Sequence, residues 1–481
     1  MSRMRVALTT LVALALVAAA CGGGETASAP SAATQSGAAL APADAAGYVG
    51  VDTDLESGQW HQLQELLDRF PDGDRVLEWF ADELGDEGVS WEEDVQPALG
   101  PVSAVVVLGD DNDTVVLVQP DDRTKLEALL AKANEEQVTA DLEDGWVAVA
   151  EEQGHLDAYR TAVDRGTLDG AAGFREAMTG LPEDSIAVAY LSGKALASGW
   201  TAYAPLVPMP RRVGPNTDGT LESLGLAVEA TDDGLRIAGS VRTDGPEVPS
   251  YEPTLFRRVP DRSIIAVSFH GTPELTELLG SEDALGAFLP AIEEQLGVEL
   301  ADILELLEGE AALYVRPGLV IPEVSLAVEA PDAARAMGIV DRLARGLGGE
   351  VETLEVDGVT AHAVAIDKVR IVWAAFDGVL LVSTAPTAIR DFRSDGAKLV
   401  DDERFQEAVE RVGLGDRTGG LVYADLDEAV PFLEGLAGLA GERLPAELRR
   451  NLEPLDTFVA EGGPDGEAVR FEAFLAVAGS S

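Results

Sequence analysis

Four histidines are the only imidazoles in the chain: His61, His155, His270 and His362. None stands four positions from another and no HExxH occurs, so the paired-histidine zinc site of a metalloprotease is not encoded. A hydrolase sets a nucleophile beside a base, yet the chain has neither a GxSxG elbow nor an SxxK pair. A triad gathered in space from distant residues would leave no such trace. Gly346-Leu347-Gly348-Gly349 lacks the Lys-Ser/Thr that completes a phosphate loop, and no GxGxxG follows a strand. Acidic runs are the remaining candidates. Asp52-x-Asp54-x-Glu56-Ser57-Gly58 has the flavour of a calcium loop, but Leu63 stands where the bidentate glutamate belongs; Asp54 or Ser57 as a helix N-cap before Trp60 accounts for it. Asp110-Asp111-Asn112-Asp113 reads as a solvated hairpin turn. No metal, no cofactor and no enzymatic activity are expected.

The one residue with a definite chemical task is the only cysteine. Arg3 and Arg5 precede an apolar run from Val6 to Ala20, and Cys21 follows at once, which describes a secretory signal over residues 1–20. The run is shorter than the ~20 residues of a spanning helix. Val17-Ala18-Ala19-Ala20-Cys21 resembles a bacterial lipobox, with Ala18 where Leu is usual. The resemblance implies that Cys21 carries diacylglycerol and becomes the mature N-terminus. A residue carrying more than one fatty chain anchors stably, whereas a single chain is marginal. Residues 21–41 are then the lipidated cysteine and a flexible linker. The Gly, Ala, Ser and Pro composition from Gly22 to Ala46 gives a coil with an r.m.s. reach of about 25 Å. The protein is expected on the extracytoplasmic face of the cell membrane, with the membrane as partner through its lipid.

Composition places the rest. The 481 residues are 46% hydrophobic and 25% charged, a globular balance, with 34 Lys+Arg against 86 Asp+Glu and a net charge of −52. A body that acidic repels nucleic acid and anionic headgroups, so nucleic acid is excluded as a partner. Lysine is confined to Lys125, Lys132, Lys194, Lys368 and Lys398. Many carboxylates with little lysine suit a chain that stays soluble in high salt.

The elements recur. Pro42-Ala43-Asp44 leads into Tyr48-Val49-Gly50-Val51, and Pro260-Asp261 into Ile264-Ile265-Ala266-Val267. Helical periodicity follows each: Trp60, Leu63, Leu67 and Phe70 in one, Leu285, Phe288, Leu289, Ile292 and Leu296 in the other. Gly100–Val106 parallels Gly309–Val315, Pro120-Asp121 parallels Pro331-Asp332, and Phe174–Met178 parallels Phe405–Val409. Pro120 to Pro331 is 211 positions and Asp144 to Asp377 is 233, so the second copy holds about 22 more residues, the length of a hairpin, over Val351 to Ile366. Asp-Gly pairs at 144, 233, 357, 377 and 465 mark tight turns between antiparallel strands. The fold class expected is α+β: two tandem repeats, residues 42–245 and 252–479, each a mainly antiparallel sheet with helices packed on one face. Val105-Val106-Val107-Leu108 lacks alternation, as a strand covered on both faces would. Pro205 to Pro215 reads as a loop or lid, and Pro246 to Pro253 as the linker.

Pro42-x-Asp44…Tyr48-x-x-Val51-Asp52, the Trp60-led helix ending at Phe70-Pro71, and Trp91-Glu92-Glu93-Asp94-Val95-Gln96-Pro97-Ala98-Leu99-Gly100 resemble the actinobacterial lipoproteins grouped as domain of unknown function 3352. The resemblance implies placement in the envelope; that family has no established activity to carry over.

Trp60, Trp79, Phe80 and Trp91 recur near helical spacing. They are core under a sheet, or Trp60, Trp79 and Phe80 line a groove for an acyl chain. The function expected is therefore a lipid-anchored, non-enzymatic extracytoplasmic protein of cell-envelope interaction or assembly, with an envelope protein as partner. The alternative is a binder or carrier of an apolar, lipid-like envelope molecule.

Overall fold

The computed structural model describes residues 33–73, 91–109, 113–132, 137–197, 221–244, 249–271, 300–318, 322–366, 369–439 and 444–479. The signal, Cys21, Trp79, Phe80, the Leu285–Leu296 helix and the Pro205–Pro215 loop lie outside them. Two compact units divide the chain: residues 1–245 with 445–455 and 466–481, and residues 246–444 with 456–465.

The first unit is built on β1 (Gly47–Asp52), β2 (Val102–Leu108), β3 (Asp113–Val118), β4 (Val138–Asp141), β5 (Val147–Ala150), β6 (Ala187–Ser192), β7 (Leu221–Thr231) and β8 (Gly234–Thr243). All their pairings are antiparallel, in the order β4-β5-β3-β2-β1-β6-β7-β8. The helices that cover this sheet are α1 (Gly58–Leu67), α2 (Arg123–Lys132), α3 (Gln153–Val163) and α4 (Ala172–Met178), with a shorter one at Gln96–Leu99.

The α+β class and the antiparallel sheet hold, but the helices lie on both faces instead of one. Along β3, Val115 and Leu117 enter a core with Leu156 and Tyr159 of α3 and Phe174 and Ala177 of α4. Val116 and Val118 turn the other way, to Ala98, Leu99 and Leu126 of α2. Ala148 and Ala150 of β5 join the first core, Val147 and Val149 the second. Unbroken apolar runs have no polar face to leave in water, so both sides must be covered. The expectation drawn for Val105–Leu108 applies to β3 and β5 as well.

The linker expected over 21–41 ends early. Residues Ala33–Ser36 form a helical turn, and Ala38 and Ala41 are buried. The Tyr48 hydroxyl donates to the Thr34 carbonyl at 2.8 Å. Thr34 O sits so close over β1 that a Cβ at Gly50 would come within 1.7 Å of it. Small side chains composed this stretch for close packing, and in sequence that composition is indistinguishable from a coil.

The second unit follows with β9 (Ile265–Gly271), β10 (Gly309–Arg316), β11 (Glu323–Glu329), β12 (Glu352–Val356), β13 (Val359–Ile366), β14 (Val369–Phe376), β15 (Val379–Ser383), β16 (Gly420–Asp425) and β17 (Leu455–Asp465). Its order is β12-β13-β14-β15-β11-β10-β9-β16-β17, again all antiparallel. The Val351–Ile366 hairpin is present as β12–β13, and Asp357-Gly358 turns it with φ of 51° and 77°. Asp144-Gly145 and Asp377-Gly378 have the same pair of positive φ values, whereas Asp233-Gly234 has neither. Helix α5 (Ala333–Gly346) packs Ala336 and Ala344 on Val328, Leu380, Val364 and Trp373. From the opposite side of β14, Phe376 meets Phe392 of α6 (Thr387–Arg393). Phe405 of α7 (Glu403–Arg411) packs edge-on against Tyr423 of β16. This unit also begins inside the expected linker, since Tyr251 is buried and exchanges backbone hydrogen bonds with Thr418.

Two later elements, α8 (Leu426–Leu439) and α9 (Ala446–Leu452), precede the last strand, β18 (Ala468–Val477). Expected within 252–479, β18 instead belongs to the first unit, where it pairs with β8 from Ala468↔Arg242 to Ala476↔Gly234. Its Phe471 ring lies over Gly239, where a Cβ would approach to 2.1 Å. Among the described residues no helix is long and apolar enough to cross a membrane.

Candidate functional site

The acidic turn at the end of β1 is where sequence placed both its loop-like carboxylates and Trp60. Asp52 is 4% exposed, and its carboxylate accepts the Asp54 amide at 2.9 Å. Asp54 in turn accepts the Glu56 amide at 3.0 Å, and Ser57 Oγ accepts the Trp60 amide at 3.3 Å. The oxygens are spent on the chain's own amides, which starts α1 at Ser57 as an N-cap. Burial pushes the Asp52 carboxyl up to about 6, against the opposing hydrogen bonds from Ser57 and the Asp54 amide; Asp54 and Asp184 add to the rise. Among the described residues no group of three or more His, Cys, Asp or Glu is arranged to hold a metal ion.

Trp60 lies in the core. Its indole nitrogen donates to the Asp52 carbonyl at 2.8 Å, and the ring, 5% exposed, packs with Leu63, Leu66, Leu67, Ile186, Ala230 and Val477. An indole satisfied at its one donor and enclosed by aliphatic carbon fixes the angle between α1 and the sheet. Trp79 and Phe80, offered with it for an apolar ligand, lie outside the described residues.

Each histidine has a local partner. His61 Nδ1 is 3.1 Å from the Ser57 carbonyl, His155 Nε2 is 3.3 Å from Asp113, and His270 packs against Tyr251. The partner of His362 on β13 was not foreseen in sequence. His362 Nδ1 lies 2.6 Å from Asp341 Oδ1 of α5, and the same oxygen accepts Trp373 Nε1 of β14 at 3.1 Å. A carboxylate on imidazole is the orienting half of a hydrolase relay. Here it is shared with an indole, so its effect is to tie α5 to two strands. No motif spans residues 341, 362 and 373; only the knowledge that α5 crosses β13 and β14 could have joined them.

Glu310 of β10 was also missed. Buried at 3% exposure, its carboxylate accepts Thr254 Oγ1 at 2.7 Å and the Leu255 and Phe256 amides at 2.7 and 3.0 Å. It caps the helical turn Phe256–Arg258 from a distant strand.

A family model described as protein of unknown function (DUF3352) matches residues 123–477. The chain belongs to this family. The DUF3352 match runs from α2 to the end of β18 and so takes in both units; it begins after the Pro42–Gly100 motif that carries the resemblance in sequence. No curated protein matches the chain. Crystal forms IV and III of TP0453 are similar at 9% identity and a TM-score of 0.24, over 43% and 45% of this chain and 79% and 81% of theirs. At that score the likeness carries no argument, and the DUF3352 fold described above stands on its own pairings.

Proposed function

We propose that this DUF3352 protein is a lipid-anchored, non-enzymatic protein on the extracytoplasmic face of the cell membrane, serving in cell-envelope interaction or assembly. The observation that carries this is how soon folding starts after the lipobox-like cysteine. Eleven residues, 22–32, separate Cys21 from the turn at Ala33. A chain of that length reaches at most roughly 40 Å. Headgroup repulsion fades within a Debye length of about 8 Å at physiological salt. The leash thus holds a strongly acidic body just beyond the range where anionic lipid would reject it.

We infer further that the two units are copies of one fold. Support comes from the shared order around β1 and β9, from isolated bridges that join Pro42 to Thr167 and Pro260 to Lys398, and from one aromatic contact in each. Phe174–Tyr190 has centroids 5.3 Å apart at 74°, and Phe405–Tyr423 has 5.1 Å at 76°. The carrier reading drew on Trp60, whose enclosure in the core favours the interaction reading over it.

The test is fractionation of cells expressing Cys21→Ser. Release of the variant from the membrane fraction is the expected result; undiminished sedimentation with envelopes would overturn the anchor. Native mass spectrometry of protein from its own membranes, showing one stoichiometric lipid besides the anchor, would restore the carrier reading.

A further inference from the structure

Arg258 is an unusual cation for so acidic a protein. Its guanidinium lies 4.6 Å from the Phe392 ring centre and 5.8 Å from that of Phe376, and Arg393 covers Phe376 at 5.4 Å. Among the described residues no side chain or carbonyl accepts a hydrogen bond from the Arg258 guanidinium, and no carboxylate pairs with it. Arg393 gives one bond, to the Asp357 carbonyl at 3.2 Å in the β12–β13 turn, and likewise has no ion pair. Lys398 stands behind them, its amine donating to the carbonyls of Arg258, Asp391 and Phe392 at 3.2, 2.9 and 3.4 Å. Asp391, a carboxylate that acts on Lys398, is already engaged by Arg316 and Arg390. Burial lowers both Arg258 and Lys398; Arg393 opposes the charge on Arg258, and Arg258 that on Lys398. Asp377 and Glu310 favour the charge on Arg258, and Asp391, Asp395 and Asp261 that on Lys398, all without a salt bridge to either cation.

The fold does not require cations here. Leu40 stands two residues before the bridging Pro42, as Arg258 stands two before Pro260. The Leu40 carbonyl is satisfied by a neutral phenol, Tyr159 Oη at 2.7 Å, where the Arg258 carbonyl takes the Lys398 amine. Thr167 occupies the place of Lys398 in its own bridge. The cations, and the hairpin turn that receives Arg393, belong to the second unit alone.

We propose that Arg258 and Arg393 form a binding site for a phosphate group, with Lys398 supplying charge from behind. A planar guanidinium held on aromatic faces, with its N–H fork unfilled, suits bidentate oxyanion binding. The two guanidinium charges match a phosphate monoester, which carries about −1.5 to −2 at neutral pH. The cluster acts within a Debye length, so the net −52 of the chain is screened from it at physiological salt. The phosphate could be free in solution or belong to a lipid headgroup. This site goes beyond the anchoring role, and its failure leaves that role standing.

The experiment is calorimetric titration of the full chain at 0.15 M salt with inorganic phosphate, and separately with dihexanoyl phosphatidic acid below its micelle concentration. Saturable one-to-one binding with a Kd below about 1 mM is expected for at least one of them, the tighter one naming the source. Arg258→Gln and Arg393→Gln should each weaken it at least tenfold, and Arg258→Lys, which keeps charge but loses the fork, several-fold. Arg257→Gln, one position away and already paired with Glu252, should leave it unchanged. Arg393 is exposed, so its variant reports on the site independently of any disturbance of the core by Arg258→Gln. Absence of saturable binding with both ligands, or binding that survives both Gln variants, would overturn the proposal.

Discussion

Across the middle of the first sheet, Ala150, Val115, Val106, Tyr48, Tyr190 and Gly225 stand side by side. The corresponding row of the second reads Ser383, Ser325, Tyr314, Ala266, Tyr423 and Val459. Each row has a tyrosine on the strand after the centre, Tyr190 of β6 and Tyr423 of β16, while the other tyrosine stands on β1 in the first row and on β10 in the second. Gly225 lets the Ala177 carbonyl of α4 approach, since a Cβ there would come within 2.2 Å of it, whereas Val459 fills its position as a buried side chain. Volume in a row is therefore kept while the strand that supplies it changes, as packing density demands. Side chains that are not kept in either form, such as Arg258 against Leu40, are the ones that packing leaves unexplained.

The units differ most at their edges, and the largest effect is expected there. Deleting Gly466–Ser481 removes β18, whose Phe474, Ala476 and Val477 are buried. Loss of two large apolar side chains and a ladder costs on the order of 5 kcal/mol. Hydrogen exchange should show the first unit's amides losing protection while β9 to β16 keep theirs. Equal loss in both would mean that β18 is not the first unit's strand. Next come Phe174→Ala and Phe405→Ala, each removing a buried ring from the matched contact with Tyr190 or Tyr423. Each should cost about 3–5 kcal/mol, confined to its own unit, as read by denaturant unfolding with exchange. A cost in one unit only would break the correspondence between them.

How much of this was legible in sequence follows from the range of each signal. Hairpins are local, so Asp357-Gly358 and the 22-residue surplus located β12 and β13 to within a residue. Caps are local too: Ser57 before Trp60 was readable as a helix start. Sheet order is not local, and nothing near residue 468 tells that β18 pairs with β8 of the first unit. Burial of small residues is equally silent, because Ala38 and Ala41 look like linker until Tyr48 and Gly50 are seen beneath them. Polar ties such as Asp341 with His362 and Trp373 join three elements, and periodicity reports on one element at a time.

A smaller effect sharpens the contrast by pH. Asp52 of β1 is buried and titrates at about 6, while an unfolded aspartate titrates near 3.9. Below pH 4 both states are protonated and burial carries no ionisation cost. Between pH 4 and 6 the unfolded chain ionises first, so stability of the first unit falls as pH rises; above 6 the full cost, about 3 kcal/mol, is present. Asp52→Asn keeps an oxygen for the Asp54 amide and removes that cost. It should stabilise the first unit by about 2–3 kcal/mol at pH 8 and by nothing at pH 3.5, measured by urea unfolding. A pH-independent effect would mean that folding does not raise the Asp52 carboxyl above its unfolded value.

The finest comparison concerns how each leading segment is pinned to its central strand. In the first unit the phenol sits on the strand, Tyr48 donating to the Thr34 carbonyl; in the second it sits on the segment, Tyr251 sharing a 2.7 Å hydrogen bond with Ser268 of β9. Tyr48→Phe and Tyr251→Phe each leave a buried oxygen without its partner and should each cost about 1–2 kcal/mol. The two cases part at the next step. Ser268 can be replaced, and Tyr251→Phe with Ser268→Ala should recover most of the loss, because removing both polar partners leaves nothing unsatisfied. A backbone carbonyl cannot be removed, so Tyr48→Phe has no such rescue through Thr34. A double-mutant cycle on residues 251 and 268 measures this directly, and additive single costs would show that the hydroxyl pair holds nothing in place.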